Sequence, residues 1–81
     1  MWCEICGGWE NLQKHHVYEG RNRSNSDKYG AVITVCYKCH EDIHRHPAKY
    51  KWLKEEWQGI LMMENHWSIE DFISVFRRSY L

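Results

Sequence analysis

The spacing of apolar positions changes along this chain, and each change predicts an element. Asn11 to Tyr18 reads as a short strand carrying His15, His16 and Val17. From Glu19 to Tyr29 the chain turns to Gly, Arg, Asn, Ser and Asp, which is loop chemistry. Ala31 to Val35 (Ala-Val-Ile-Thr-Val) is β-branched and apolar, the clearest strand signal present. A short helix is predicted from Cys39 to His46. Pro47 ends it, because its ring and missing N–H disfavour continuation. A longer helix follows from Ala48 to Asn65, where Tyr50, Leu53, Trp57, Ile60 and Leu61 recur every three or four residues and define one buried face. Ser68 reads as an N-cap with Asp71 three residues on, an approximate capping box. The last helix then places Ile69, Phe72, Ile73 and Phe76 inward.

At 81 residues this is one domain, small enough that a metal staple is a common supplement to the core. A 43% hydrophobic and 27% charged composition excludes a disordered chain. No apolar run spans a membrane, and Met1-Trp2-Cys3-Glu4 does not open a signal peptide, so a cytoplasmic protein is expected. The net charge is zero but unevenly placed. Nine basic and four acidic residues lie between Lys14 and Lys54, which suits either one nucleic-acid-binding face or ordinary solvated charge. Trp52, Trp57, Trp67, Phe72 and Phe76 are expected in the core, Trp2 and Trp9 over the first cysteine pair, and Met62 and Met63 in packing or an interface.

Cys3-x-x-Cys6 and Cys36-x-x-Cys39 supply four thiolates in two knuckles, the count a closed tetrahedral zinc site requires. Gly7 and Gly8 suit the tight turn after the first pair. Four sulfur ligands leave no open position, so this zinc is structural. It would pin the first strand to the start of the short helix.

The histidines lie on those two elements. His40 and His44 are one helical turn apart and can chelate one ion. His15 and His16 are neighbours, so on a regular strand they face opposite ways. For both to act in one site, the strand must twist or end there.

The order Cys-x-x-Cys, His-His-Val, an apolar strand and Cys-x-x-Cys-His resembles the HNH endonucleases of the ββα-metal fold. Cys3 to His44 carry the resemblance. The tail from Phe76 to Leu81 is similar to that of small phage and prophage HNH-type proteins, which implies a bacterial host-cell cytoplasm. The resemblance implies an α+β architecture: a zinc-stapled ββα-metal core over residues 1–46 and a helical extension over 48–81 with two C-terminal helices. It implies a catalytic divalent ion (Mg2+, Mn2+, Ni2+, Co2+ or Zn2+) on His15, His40 and His44, and His16 as general base. The middle Asn of the family pattern is absent, Ala31 standing in its place. Asn22, Asn25 and Asp27 are candidates to substitute for it.

The implied reaction is single-metal hydrolysis of a DNA phosphodiester, leaving 5′-phosphate ends. Arg21, Arg23, Lys28 and Lys38 are the candidate phosphate contacts, and weak sequence preference follows because such contacts carry no base information. Duplex DNA is the expected partner, with a homodimer or a larger phage assembly left open. Two other readings fit the same residues: a degenerate zinc module that binds nucleic acid, and a zinc-stapled protein-interaction adaptor.

Overall fold

The two segments richest in β signal form the only sheet. In the computed structural model, which describes residues 1–81, β1 (Leu12–His16) pairs antiparallel with β2 (Val32–Cys36). Leu12 lies opposite Cys36 and His16 opposite Val32. Strand alternation therefore puts Gln13, His15, Ile33 and Val35 on one face. Helix α2 (Tyr37–Arg45) contacts both strands and buries Ile43. It starts two residues before the expected position, directly after Cys36, so that Cys39 sits in its first turn and His40 follows.

The segment from Glu19 to Tyr29 is not a loop. A 3-10 turn (Gly20–Asn22) runs into helix α1 (Arg23–Tyr29). Nothing in its polar sequence favours a helix, and tertiary anchors hold it instead. Asn22 Nδ2 donates to the Phe76 carbonyl at 2.9 Å, and Asn25 Nδ2 to the Val75 carbonyl at 3.0 Å. Buried Ser26 accepts from Tyr18 N–H and donates to Tyr18 C=O. Gly30, at φ 77°, closes the helix in the left-handed conformation that glycine tolerates best.

After Pro47 the chain makes a 3-10 turn (Pro47–Tyr50), then helix α3 (Lys51–Asn65) and helix α4 (Ile69–Phe76). The expected start of the long helix at Ala48 is corrected to Lys51. Tyr50, Leu53 and Leu61 are buried, whereas Trp57 and Ile60 are half-buried. The Ser68–Asp71 capping box forms in both directions. Of the four inward positions expected on α4, Phe72 and Phe76 are buried, but Ile69 and Ile73 face solvent. Phe72 and Phe76 make the contact with Tyr18, and Ile69 and Ile73 lie away from it on the outer side of α4. Trp52 is also exposed rather than in the core, because it lies off the α3 face that Leu53, Gln58 and Leu61 bury.

One core joins both halves of the chain. Cys3, Val17, Ala31, Val35, Leu61, Phe72 and Phe76 belong to a single buried cluster. Its centre is Tyr18, 4.5 Å from Phe76, 5.8 Å from Phe72 and 5.3 Å from Tyr80 between ring centroids. The Tyr18 hydroxyl donates to the Lys54 carbonyl at 2.8 Å. Gln58, fully buried, donates to Ser79 Oγ at 2.9 Å and accepts from Tyr80 N–H at 2.6 Å, which holds the tail down. No helix is long and apolar enough to cross a membrane.

Candidate functional site

The two cysteine pairs meet where β2 becomes α2. Their sulfur atoms lie within 4.8 Å of one another, and Cys6 Sγ is 3.7 Å from Cys36 Sγ. Zinc with Zn–S bonds of about 2.3 Å sets tetrahedral sulfurs roughly 3.8 Å apart, so the four cysteines fit that ion. The first knuckle turns at Gly7 (φ 79°), and Cys6 N–H and Gly8 N–H point at Cys3 Sγ and Cys6 Sγ. Thr34 binds the knuckle to β2, donating its N–H to Glu4 Oε2 at 2.7 Å and accepting from Glu4 N–H at 2.8 Å. Burial opposes ionisation of Cys3, but N–H groups of Cys6, Cys36 and Ile5 outweigh it and bring the thiol down to about 6. Cys39 is pushed strongly upward by burial and then by the other three sulfurs. Four cysteine sulfurs this close could hold a cation among them, and such an ion would favour the thiolate form of each. Trp2 and Trp9, expected to cover this cluster, are exposed. Trp9 flanks it in a shallow cleft beside Cys6 and Cys36.

A second group of possible ligands forms on the buried face of the sheet. His15 comes from β1, and His40 and His44 come from successive turns of α2; their ligand atoms also lie within 4.8 Å of one another. The ring centroids are 4.8, 5.3 and 5.7 Å apart. Three imidazoles around one tetrahedral ion, with metal–nitrogen bonds of about 2.0–2.1 Å, have centroids roughly 5.2 Å apart. The triangle therefore fits a divalent ion. Burial lowers the His15 pKa to about 4; Glu19 opposes this, and His40, His44 and His16 reinforce it. Burial and then His44 lower that of His40 too, against Glu19. Both shifts favour the neutral ring, the state a metal ligand needs.

His16 points to the other face of β1, as alternation requires, yet β1 ends at His16. Its ring reaches the same cleft, of 320 Å³, as His15, His40 and His44. There His16 Nε2 lies 2.8 Å from Asp27 Oδ1 on α1. A carboxylate can only accept, so Nε2 carries the proton and Nδ1 keeps its lone pair.

Of the three candidates to replace the missing Asn, Asn22 and Asn25 are occupied with α4, and Asp27 alone meets a histidine. Ala31 is fully buried, its N–H on the Ser26 carbonyl and its C=O on Val17 N–H, so a larger side chain has no space there.

The four basic candidates separate. Arg23 lines the cleft with the histidines. Arg21 and Lys28 on the α1 side do not, and Lys28 instead lies over the Tyr29 ring, 5.4 Å from its centroid. Lys38 belongs to the cleft beside the cysteines. Sequence reasoning missed Lys14 and Glu19, both of which line the histidine cleft. The strand period was the available signal for Lys14, which lies two residues before His16. His46 and His66, given no role from sequence, are the C-cap residues of α2 and α3.

Comparison with protein-family models, with curated proteins and with solved structures gave no match, and the functional reading rests on the site alone.

Proposed function

We propose that the protein is an HNH-type, metal-dependent DNA endonuclease with a structural zinc on Cys3, Cys6, Cys36 and Cys39. One observation carries this reading: a single cleft with no apolar lining residue brings together a three-histidine cluster, a carboxylate-paired histidine and two cations, Lys14 and Arg23. Phosphodiester hydrolysis needs a base for water, relief of charge on phosphate, and stabilisation of the leaving oxygen. His16 Nδ1 accepts the proton of the attacking water, and Asp27 holds the ring in the required tautomer and offsets the charge of the imidazolium. Lys14 and Arg23 hold the phosphate by charge. A divalent ion held by His15, His40 and His44 would supply the Lewis acid for the phosphate and the 3′ oxygen.

In this reading Asp27 and Ser26, consecutive residues of α1, share what one Asn does in the family pattern. Asp27 orients the base, and Ser26 braces the backbone just beyond it at Tyr18. Ala31 then marks a relocated function rather than a lost one, which favours the enzyme over a degenerate nucleic-acid-binding module.

Incubation of the zinc-loaded protein with supercoiled plasmid tests the proposal, scanning magnesium, manganese, nickel, cobalt and zinc with His16→Ala alongside. Metal-dependent nicking that disappears in the variant is expected. Nicking at an undiminished rate in the variant removes His16 as base, and no cleavage with any metal leaves the binding module.

A further inference from the structure

Glu19 stands beside the histidine cluster, and its carboxylate makes no hydrogen bond that explains its place. Its Oε1 is 3.6 Å from His15 Nδ1 and 3.7 Å from His44 Nδ1. Both separations exceed the roughly 2.7–3.2 Å of a hydrogen bond. They are also nearly equal, so one oxygen faces two ring nitrogens at once. Ligand atoms that share a tetrahedral ion at about 2.0–2.1 Å stand roughly 3.4 Å apart, close to the separations from His15 and His44. Glu19 lies outside the group of three rings whose ligand atoms are all within 4.8 Å of one another, and it must close inward on an ion.

His40 is turned to fit the same centre. Its Nδ1 meets Gln13 Oε1, an acceptor, so Nδ1 carries the hydrogen and Nε2 keeps its lone pair. The chain path that delivers Glu19 is well braced. Val17 N–H bonds Ala31 C=O, and Ser26 Oγ holds both backbone groups of Tyr18. The turn after β1 thus returns the residue four beyond His15 to the side of His15.

We infer that Glu19 is the fourth ligand of the ion bound by His15, His40 and His44. This rests on the part of the proposed function in which the histidines bind an ion, and not on DNA cleavage. A carboxylate adds a hard oxygen to an all-nitrogen set, which widens the choice of metal toward manganese and magnesium. It also occupies the position a fourth, exchangeable ligand would take. Because Glu19 is exposed at the lip of the cleft, a phosphate oxygen can displace it without moving the fold.

The test is cobalt(II) titration of the full chain with zinc already in the cysteine site, read by visible absorption and by competition with a chelator. Wild type, Glu19→Gln, Glu19→Ala and His40→Ala are compared, with exposed Glu56→Gln as control and circular dichroism to verify folding. Wild type should take up one cobalt per chain with intense four-coordinate bands and no thiolate charge-transfer band. Glu19→Ala should weaken binding at least about tenfold and change the band intensities. Wild-type affinity and spectrum in both Glu19 variants would overturn the inference while the histidine site stands. Weaker binding with an unchanged spectrum would overturn it as well, by making Glu19 an outer partner of the rings. Absence of a second ion in the wild type would sink the histidine site itself.

Discussion

The cysteine and histidine clusters share a scaffold and differ in almost everything else. Cys39 and His40 are neighbours on α2, and β1 and the knuckle before it supply the opposite side of each cluster. The sulfur cluster offers four protein ligands, enough to fill a tetrahedral ion with no position left over: Cys3 and Cys36 are buried, Cys6 is exposed beside Trp9, and backbone N–H groups face sulfur. The nitrogen cluster lies at a cleft, with His44 exposed at its mouth and cations nearby. On the proposed function, the contrast would separate an ion that holds the chain from an ion placed for work. Cys36 caps α2 and Cys39 lies in its first turn, so an ion in the sulfur cluster would hold the helix that carries His40 and His44.

The largest expected effect falls on the sulfur cluster. Structural zinc contributes about 10–16 kcal/mol of apparent binding free energy in small zinc domains. Cys36→Ser, or zinc removal by a strong chelator, should therefore abolish the cooperative thermal transition seen by circular dichroism. His40→Ala should keep that transition and lose one bound ion per chain by elemental analysis. Equal behaviour of the two variants would erase the distinction between the clusters.

His16→Ala should lower the nicking rate by about 10²–10⁴-fold, the usual contribution of general base catalysis, with metal content unchanged. Asp27→Asn should cost roughly tenfold, a typical loss for an outer partner, again with both ions in place. A fall in metal content in Asp27→Asn would mean that the residue supports the histidine cluster rather than the base. The smallest effect concerns the two clefts. Lys14→Ala should reduce the slope of log affinity for duplex against log salt by about one, whereas Lys38→Ala should leave it unaltered. The reverse pattern would place DNA beside the cysteines.

The sequence made the clusters legible because metal ligands are few in kind and their spacing is restrictive. Two Cys-x-x-Cys pairs and a His-x-x-x-His helix announce possible ligand sets before any fold is known. The strands and the capping box were readable for a similar reason: β-branched runs and Ser-x-x-Asp act locally. Helix α1 was not, since Asn22, Asn25 and Ser26 are tied to Phe76, Val75 and Tyr18, partners up to 54 residues away. Exposed Ile69 and Ile73 show the opposite failure, where an apolar period was present but only the Phe72 and Phe76 side of the helix is buried. Glu19 and Lys14 looked like ordinary surface charges until the end of β1 and the turn after it were in place.

Tyr18 has a consequence for transplanting this unit. It follows His15-His16-Val17 directly, yet its ring lies among Phe72, Phe76 and Tyr80 from the far end of the chain. A cassette cut from Cys3 to His44 would carry every proposed ligand and still strand an aromatic ring in water, two positions from the histidine meant to act. Any graft into another scaffold, or any recombination event that shuffles such domains, must carry residues through Tyr80 or rebuild that aromatic nest.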